Sequence, residues 1–120
     1  MTRVKRGTVV KKRHKRLLKL TKGFWGQRSN VFKRAKETLL RAMAFAYRGR
    51  KLRKRDMRSL FITRIKAGAL QNGLTYSKFI FGLSKANIEL NRKMLSQLAI
   101  FEPQGFSRLV DTAKQNLSWL

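Results

Sequence analysis

Residues 31–71 read VFKRAKETLLRAMAFAYRGRKLRKRDMRSLFITRIKAGALQ, and this stretch sets the architecture. It holds no proline; the only one in the chain is Pro103. One long helix is therefore expected from Val31 to about Gln71. At about 100° per residue, Phe32, Ala35, Leu39, Ala42, Met43, Ala46, Met57, Leu60 and Phe61 share a sector about 100° wide. Between Lys33 and Arg48 every Lys and Arg falls in a separate sector about 160° wide. From Gly49 to Arg58 that division fails, because Arg50 and Arg53 lie on the otherwise apolar stripe. Charge on nearly every side of a helix implies anions on nearly every side. Such a helix would be about 60 Å long, enough to enter a polyanion while anchored in a folded domain.

Working outward, the chain is extended over Met1–Gly7 and forms a short helix over Val9–Leu20. Its apolar side is Val10, Leu17 and Leu18, with Val9 at the margin. Lys22-Gly23-Phe24-Trp25-Gly26 reads as a connector, since two glycines within four residues oppose helix. Ser29 or Asn30 is the expected N-cap of the long helix. Beyond it, Asn72-Gly73 supplies a left-handed stop. Ser77 or Thr75 caps a short helix carrying Phe79, Ile80 and Leu83. Asn87–Leu90 is a turn, and Asn91 caps a helix with Met94, Leu95, Leu98 and Ala99 on one face. Pro103 opens a last helix, where Phe106, Leu109, Val110, Ala113 and Leu117 recur at helical spacing. Ile62, Ile65 and Ala69 complete the bundle. Strand signals are missing, so the fold class is all-α: an extended basic N-terminal arm with a long helix leading into a small C-terminal helical domain. The division expected is residues 1–58 for the arm and 59–120 for the domain.

Charge is distributed as unevenly as the apolar residues. Residues 1–58 hold 22 of the 30 Lys and Arg and two of the five carboxylates, Glu37 and Asp56, in a chain of 120 residues with net charge +25. A segment this charged cannot collapse on itself and needs a polyanion. Partial disorder of the free arm, with folding on binding, is the expectation. The hydrophobic fraction of 42% belongs to a folded protein rather than to a cationic tail, and the core-forming residues lie mostly after Met57. There is no cysteine and a single histidine, so thiolate and histidine metal sites are unsupplied. No window approaches the roughly 18 apolar residues of a membrane span. The basic N-terminus is poor in serine and its charge runs on for forty residues, so the chain reads as mature from its first residue.

The candidate RNA-binding residues of the arm are its cations and the polar or aromatic side chains among them. They are Arg3, Lys5, Arg6, Lys11, Lys12, Arg13, His14, Lys15, Arg16, Lys19, Lys22, Phe24, Trp25 and Arg28. On the long helix they are Lys33, Arg34, Lys36, Arg41, Tyr47, Arg48, Arg50, Lys51, Arg53, Lys54, Arg55 and Arg58. Lys and Arg neutralise phosphates and release counterions, which gives affinity with little sequence information. Phe24 and Trp25, flanked by glycine, Lys22 and Arg28, either stack on unpaired bases or pack between the first two helices. Tyr47 either bonds a phosphate or 2′-hydroxyl or packs at the edge of the stripe. His14, among cations and without an orienting carboxylate, reads as a phosphate or base contact rather than a catalyst. No nucleophile with its base, no carboxylate pair and no phosphate-cradling glycine loop is present. The chain reads as no enzyme, with no cofactor, metal or small-molecule substrate, no membrane association and no homo-oligomer.

One competing pattern remains. Leu60–Gln71, Asn72-Gly73 and Tyr76–Lys85 resemble a helix-turn-helix, the DNA-reading unit of architectural and regulatory proteins. The reading helix would carry only Lys78 and Lys85 as bases, with Phe79, Ile80 and Phe81 between them, which fits core packing better. Phe81 faces away from Phe79 and marks a contact with a protein or RNA surface.

Arg3-Val4-Lys5-Arg6-Gly7, Leu18-Lys19-Leu20-Thr21-Lys22-Gly23, Ala46-Tyr47-Arg48 and Arg53-Lys54-Arg55 with Arg58 match a known pattern. So do Ile62-Thr63-Arg64-Ile65, Gln71-Asn72-Gly73-Leu74, Tyr76-Ser77 and Leu90-Asn91-Arg92-Lys93. In this order they resemble the bacterial-type large ribosomal subunit protein twenty (L-twenty) family along essentially the whole chain. The resemblance implies direct binding to large-subunit (23S-type) ribosomal RNA early in assembly, neighbouring large-subunit proteins as partners, and no part in peptidyl transfer. In some bacterial members it also implies repression of their own messenger. Gly49, Phe61 and Trp25 depart from the family's familiar residues, and Gly49 leaves helix continuity open. The start Met1-Thr2-Arg3 is similar to plastid-encoded members, which favours a ribosome of the plastid (chloroplast) stroma over one of the bacterial cytoplasm.

Overall fold

The computed structural model describes Arg3 and residues 5–117, and every regular element among them is helical. Five α-helices follow one another: α1 (Gly7–Leu20), α2 (Phe32–Gln71), α3 (Tyr76–Lys85), α4 (Arg92–Phe101) and α5 (Pro103–Gln115), with a 3-10 turn at Gly26–Arg28. The chain divides into two compact units, Met1–Lys51 and Leu52–Leu120, and the division falls within α2.

In the first unit α1 begins two residues before the expected start. Its first bond runs from the Val10 amide to the Arg6 carbonyl at 3.1 Å. Glycine is tolerated there because first-turn amides need no helical partner. Of the extended segment expected over Met1–Gly7, Arg3, Lys5 and Arg6 lie outside any helix and Gly7 does not; Met1, Thr2 and Val4 fall outside the described residues. Thr21 closes α1: its amide donates to the Leu17 carbonyl at 3.3 Å and its buried hydroxyl to the Leu18 carbonyl at 3.2 Å. The expected N-cap of α2 is corrected. The Ser29 hydroxyl donates backwards to the Gly26 carbonyl at 2.9 Å, closing the 3-10 turn instead of capping the helix.

Helix α2 runs unbroken for 40 residues and passes through Gly49. One glycine costs only about 1 kcal/mol relative to alanine, too little to interrupt a helix of this length. Its apolar stripe is less of a core face than its periodicity predicts. Ala35 is buried, and Phe32, Leu39, Ala42 and Phe61 are half-buried; Met43, Ala46, Met57 and Leu60 are exposed. Every residue from Met43 to Leu60 is open to solvent.

The second unit has its own core. Ile65 and Ala69 from the end of α2 join Leu74, Phe79 and Leu83, Leu95, and Phe106, Val110 and Ala113 of α5. The Phe79 and Phe106 rings meet at 5.2 Å between centroids. Two glycines permit the close approaches. A Cβ on Gly82 would lie 2.6 Å from the Ala113 carbonyl oxygen, and one on Gly68 would lie 3.0 Å from the Phe106 ring. Gly73, at φ 78°, ends α2 in the left-handed region, and the Leu74 amide reaches back to the Ala69 carbonyl at 2.9 Å. The Asn72 amide donates to the Gly68 carbonyl at 2.9 Å while its oxygen accepts from the Ser107 hydroxyl at 3.1 Å, tying the helix end to α5. Asn91 caps α4 as expected, accepting from the Met94 amide at 2.8 Å. Thr75 occupies the N-cap of α3 without a side-chain bond, and Pro103 opens α5.

Candidate nucleic-acid interface

The arm's cations come from three local structures. Arg3, Lys5 and Arg6 precede α1, and Lys11, Lys12, Arg13, Lys15, Arg16 and Lys19 project from it, all exposed. Lys22 and Arg28 flank the turn. The cations from Lys33 to Arg58 line α2, again all exposed. Among the described residues, Arg41 is the arm cation within ion-pairing distance of a carboxylate, 3.5 Å from Glu37 one helical turn earlier. Exposed pairs of this kind contribute about 0.5 kcal/mol or less. Asp56 sits among Arg53, Lys54, Arg55 and Arg58 without an ion pair among the described residues. The positive charge is thus left uncompensated by the protein itself.

The aromatic candidates separate. The Trp25 side chain is 89% exposed, whereas Phe24 beside it is half-buried. The two rings thus differ in exposure, Phe24 being the more packed and Trp25 the more open. Tyr47 is 56% exposed, and the Lys51 ammonium lies 4.6 Å from its ring centroid. His14 lies with its ring stacked on Phe32, 3.8 Å between centroids and 21° between planes. One face of the imidazole is thereby taken by the first turn of α2, so its main visible role is to join the two helices.

Arg64 and Lys66 lie outside the candidate residues of the arm. Both are exposed on α2 beyond the arm boundary drawn at residue 58. The signal that would have found them is helix continuity, since charge follows the helix rather than the domain border.

The helix-turn-helix pattern is also clarified. Phe79, Gly82 and Leu83 of α3 are buried in the core of the second unit. The outward face retains Ser77, Lys78, Phe81 and Lys85, with the Lys85 ammonium 5.6 Å from the Phe81 ring centroid. Two lysines around an apolar ring are a poor match to the donor and acceptor pattern of a major groove. Among the described residues no group of His, Asp and Glu is arranged to hold a metal ion, and no helix is long and apolar enough to cross a membrane.

Fold and charge together define an all-α protein that has an uncompensated cationic helix and a small helical core. The chain belongs to the ribosomal protein L20 family, whose family model matches residues 3–109. A protein of Alkaliphilus metalliredigens named large ribosomal subunit protein bL20 is 56% identical over 98% of this chain and 99% of its own length. Proteins of the same name from Clostridium novyi and Caldanaerobacter subterraneus are 56% and 53% identical over the same shares. The family is structural, and the chain is not an enzyme. All three relatives are bacterial, which corrects the preference for a plastid origin read from Met1-Thr2-Arg3.

Proposed function

We propose that this chain is a structural constituent of the bacterial large ribosomal subunit that binds large-subunit ribosomal RNA directly and promotes subunit assembly. The observation that carries the reading is the segment from Met43 to Leu60, exposed at every position and basic on nearly every side at Arg48–Arg58. A free helix in water gains nothing from charge all round, because like charges repel. Inside folded RNA each of those cations faces a phosphate and releases a counterion. The relatives' shared name, large ribosomal subunit protein bL20, supports the same assignment, and their bacterial sources support the bacterial cytoplasm as its compartment. The candidate contacts are the exposed cations of the arm, from Arg3 to Arg58, together with Arg64 and Lys66. Neighbouring ribosomal proteins are the partners expected at the surfaces that RNA leaves free.

The test is co-sedimentation in high salt of the chain with bacterial large subunits. Wild-type protein is expected to travel with the subunit, and a chain carrying Arg50→Glu and Arg53→Glu to remain unincorporated. Normal incorporation of the double variant would refute encirclement by RNA. A preference for duplex DNA over structured RNA at equal salt would instead favour a DNA-architectural role.

A further inference from the structure

We infer that Trp25 is a base-stacking residue, presented on a fixed turn to receive one unpaired RNA base, beside the half-buried Phe24. The inference rests on the RNA-binding reading above and adds a contact that charge alone does not supply. Three observations carry it. First, the indole is 89% exposed while its neighbour Phe24 turns inward. A ring of that size left bare at a turn loses the burial that usually justifies it.

Second, the turn is held in place by its own bonds. The Phe24 amide donates to the Thr21 carbonyl at 3.1 Å, the Arg28 amide to the Trp25 carbonyl at 3.3 Å, and the Val31 amide to the Gln27 carbonyl at 3.0 Å. Gly23 and Gly26 take positive φ angles of 88° and 57° on either side of Phe24-Trp25. A backbone fixed in this way loses little freedom on binding, so more of the stacking energy appears as affinity.

Third, the chemistry around the ring selects the partner. Lys22 and Arg28 are exposed, and among the described residues neither has a carboxylate within ion-pairing distance. An apolar protein groove would leave these charges unpaired, whereas a nucleotide offers a π-face for the indole and phosphates for both cations. A looped or bulged nucleotide fits better than a paired one, since a base within a duplex has both faces covered.

The experiment uses the full chain with Trp119→Phe, so that Trp25 is the sole indole, and purified bacterial large-subunit ribosomal RNA as the probe. RNA is expected to quench the Trp25 emission and to protect it from iodide. Trp25→Ala should weaken binding on the order of ten-fold with the salt slope unchanged, and Trp25→Phe should restore most of the loss. Because the side chain is exposed, circular dichroism should show equal helix content in all three proteins. Tight binding with an unquenched, iodide-accessible indole and no loss in Trp25→Ala would overturn the stacking role while leaving the charge-based reading intact. A parent chain that fails to bind this RNA at all would overturn both.

Discussion

Two stretches of the same helix meet opposite fates. From Phe61 to Ala69, α2 gives Ile65 and Ala69 to a core shared with α3, α4 and α5. From Met43 to Leu60 it buries nothing, although Phe45 is as large as any core residue and is 67% exposed. Both stretches carry large apolar residues, although Arg50 and Arg53 interrupt the stripe of the exposed one, so apolar character alone does not decide burial. What differs is whether the chain supplies a covering element. In the second unit it does, through α3, α4 and α5; along the middle of α2 it supplies charge instead. That middle stretch is helix without a covering element among the described residues.

The contrast makes unequal demands on substitutions. Phe79→Ala removes a fully buried ring that meets Phe106. It should cost about 3–5 kcal/mol of stability in thermal or denaturant unfolding. A loss near zero would mean the second unit does not depend on this core. Gly82→Ala should cost about 1–3 kcal/mol, because the new methyl would press on the Ala113 backbone where α3 meets α5. Asn91→Ala, which removes the cap bond to the Met94 amide, should cost about 1 kcal/mol. Phe45→Ser should change the stability of the free protein by no more than about 0.5 kcal/mol. A Phe45→Ser penalty comparable to that of Phe79→Ala would erase the distinction between the two stretches.

Much of this was legible in the residues. Asn91, Gly73 and Pro103 announce helix ends because each does something at a terminus that few residues do. The lack of proline and of strand signals made the long helix the only economical reading of residues 31–71. The sequence was less informative where a side chain had two equivalent options. Ser29 can cap a following helix or close a preceding turn, and only the 3-10 turn at Gly26–Arg28 decides for the second. His14 reads as one more phosphate contact until Phe32, eighteen positions on in the chain, is found against its ring. Phe24 and Trp25 look alike as neighbours, yet the direction of the backbone at the turn half-buries one and bares the other. The stripe on α2 shows which side is apolar and says nothing of who covers it. Tertiary neighbours carry that information, and among the described residues none buries Met43–Leu60.

The central claim is that the cations encircling α2 face phosphates, and the salt dependence of binding tests it most directly. The affinity of the full chain for large-subunit ribosomal RNA is measured across a range of salt, beside a variant carrying Arg50→Gln and Arg53→Gln. A steep fall of affinity with salt is expected, with a slope lower in the variant by about two units, one for each contact removed. Equal slopes for the two proteins, or an affinity flat across salt, would contradict the account.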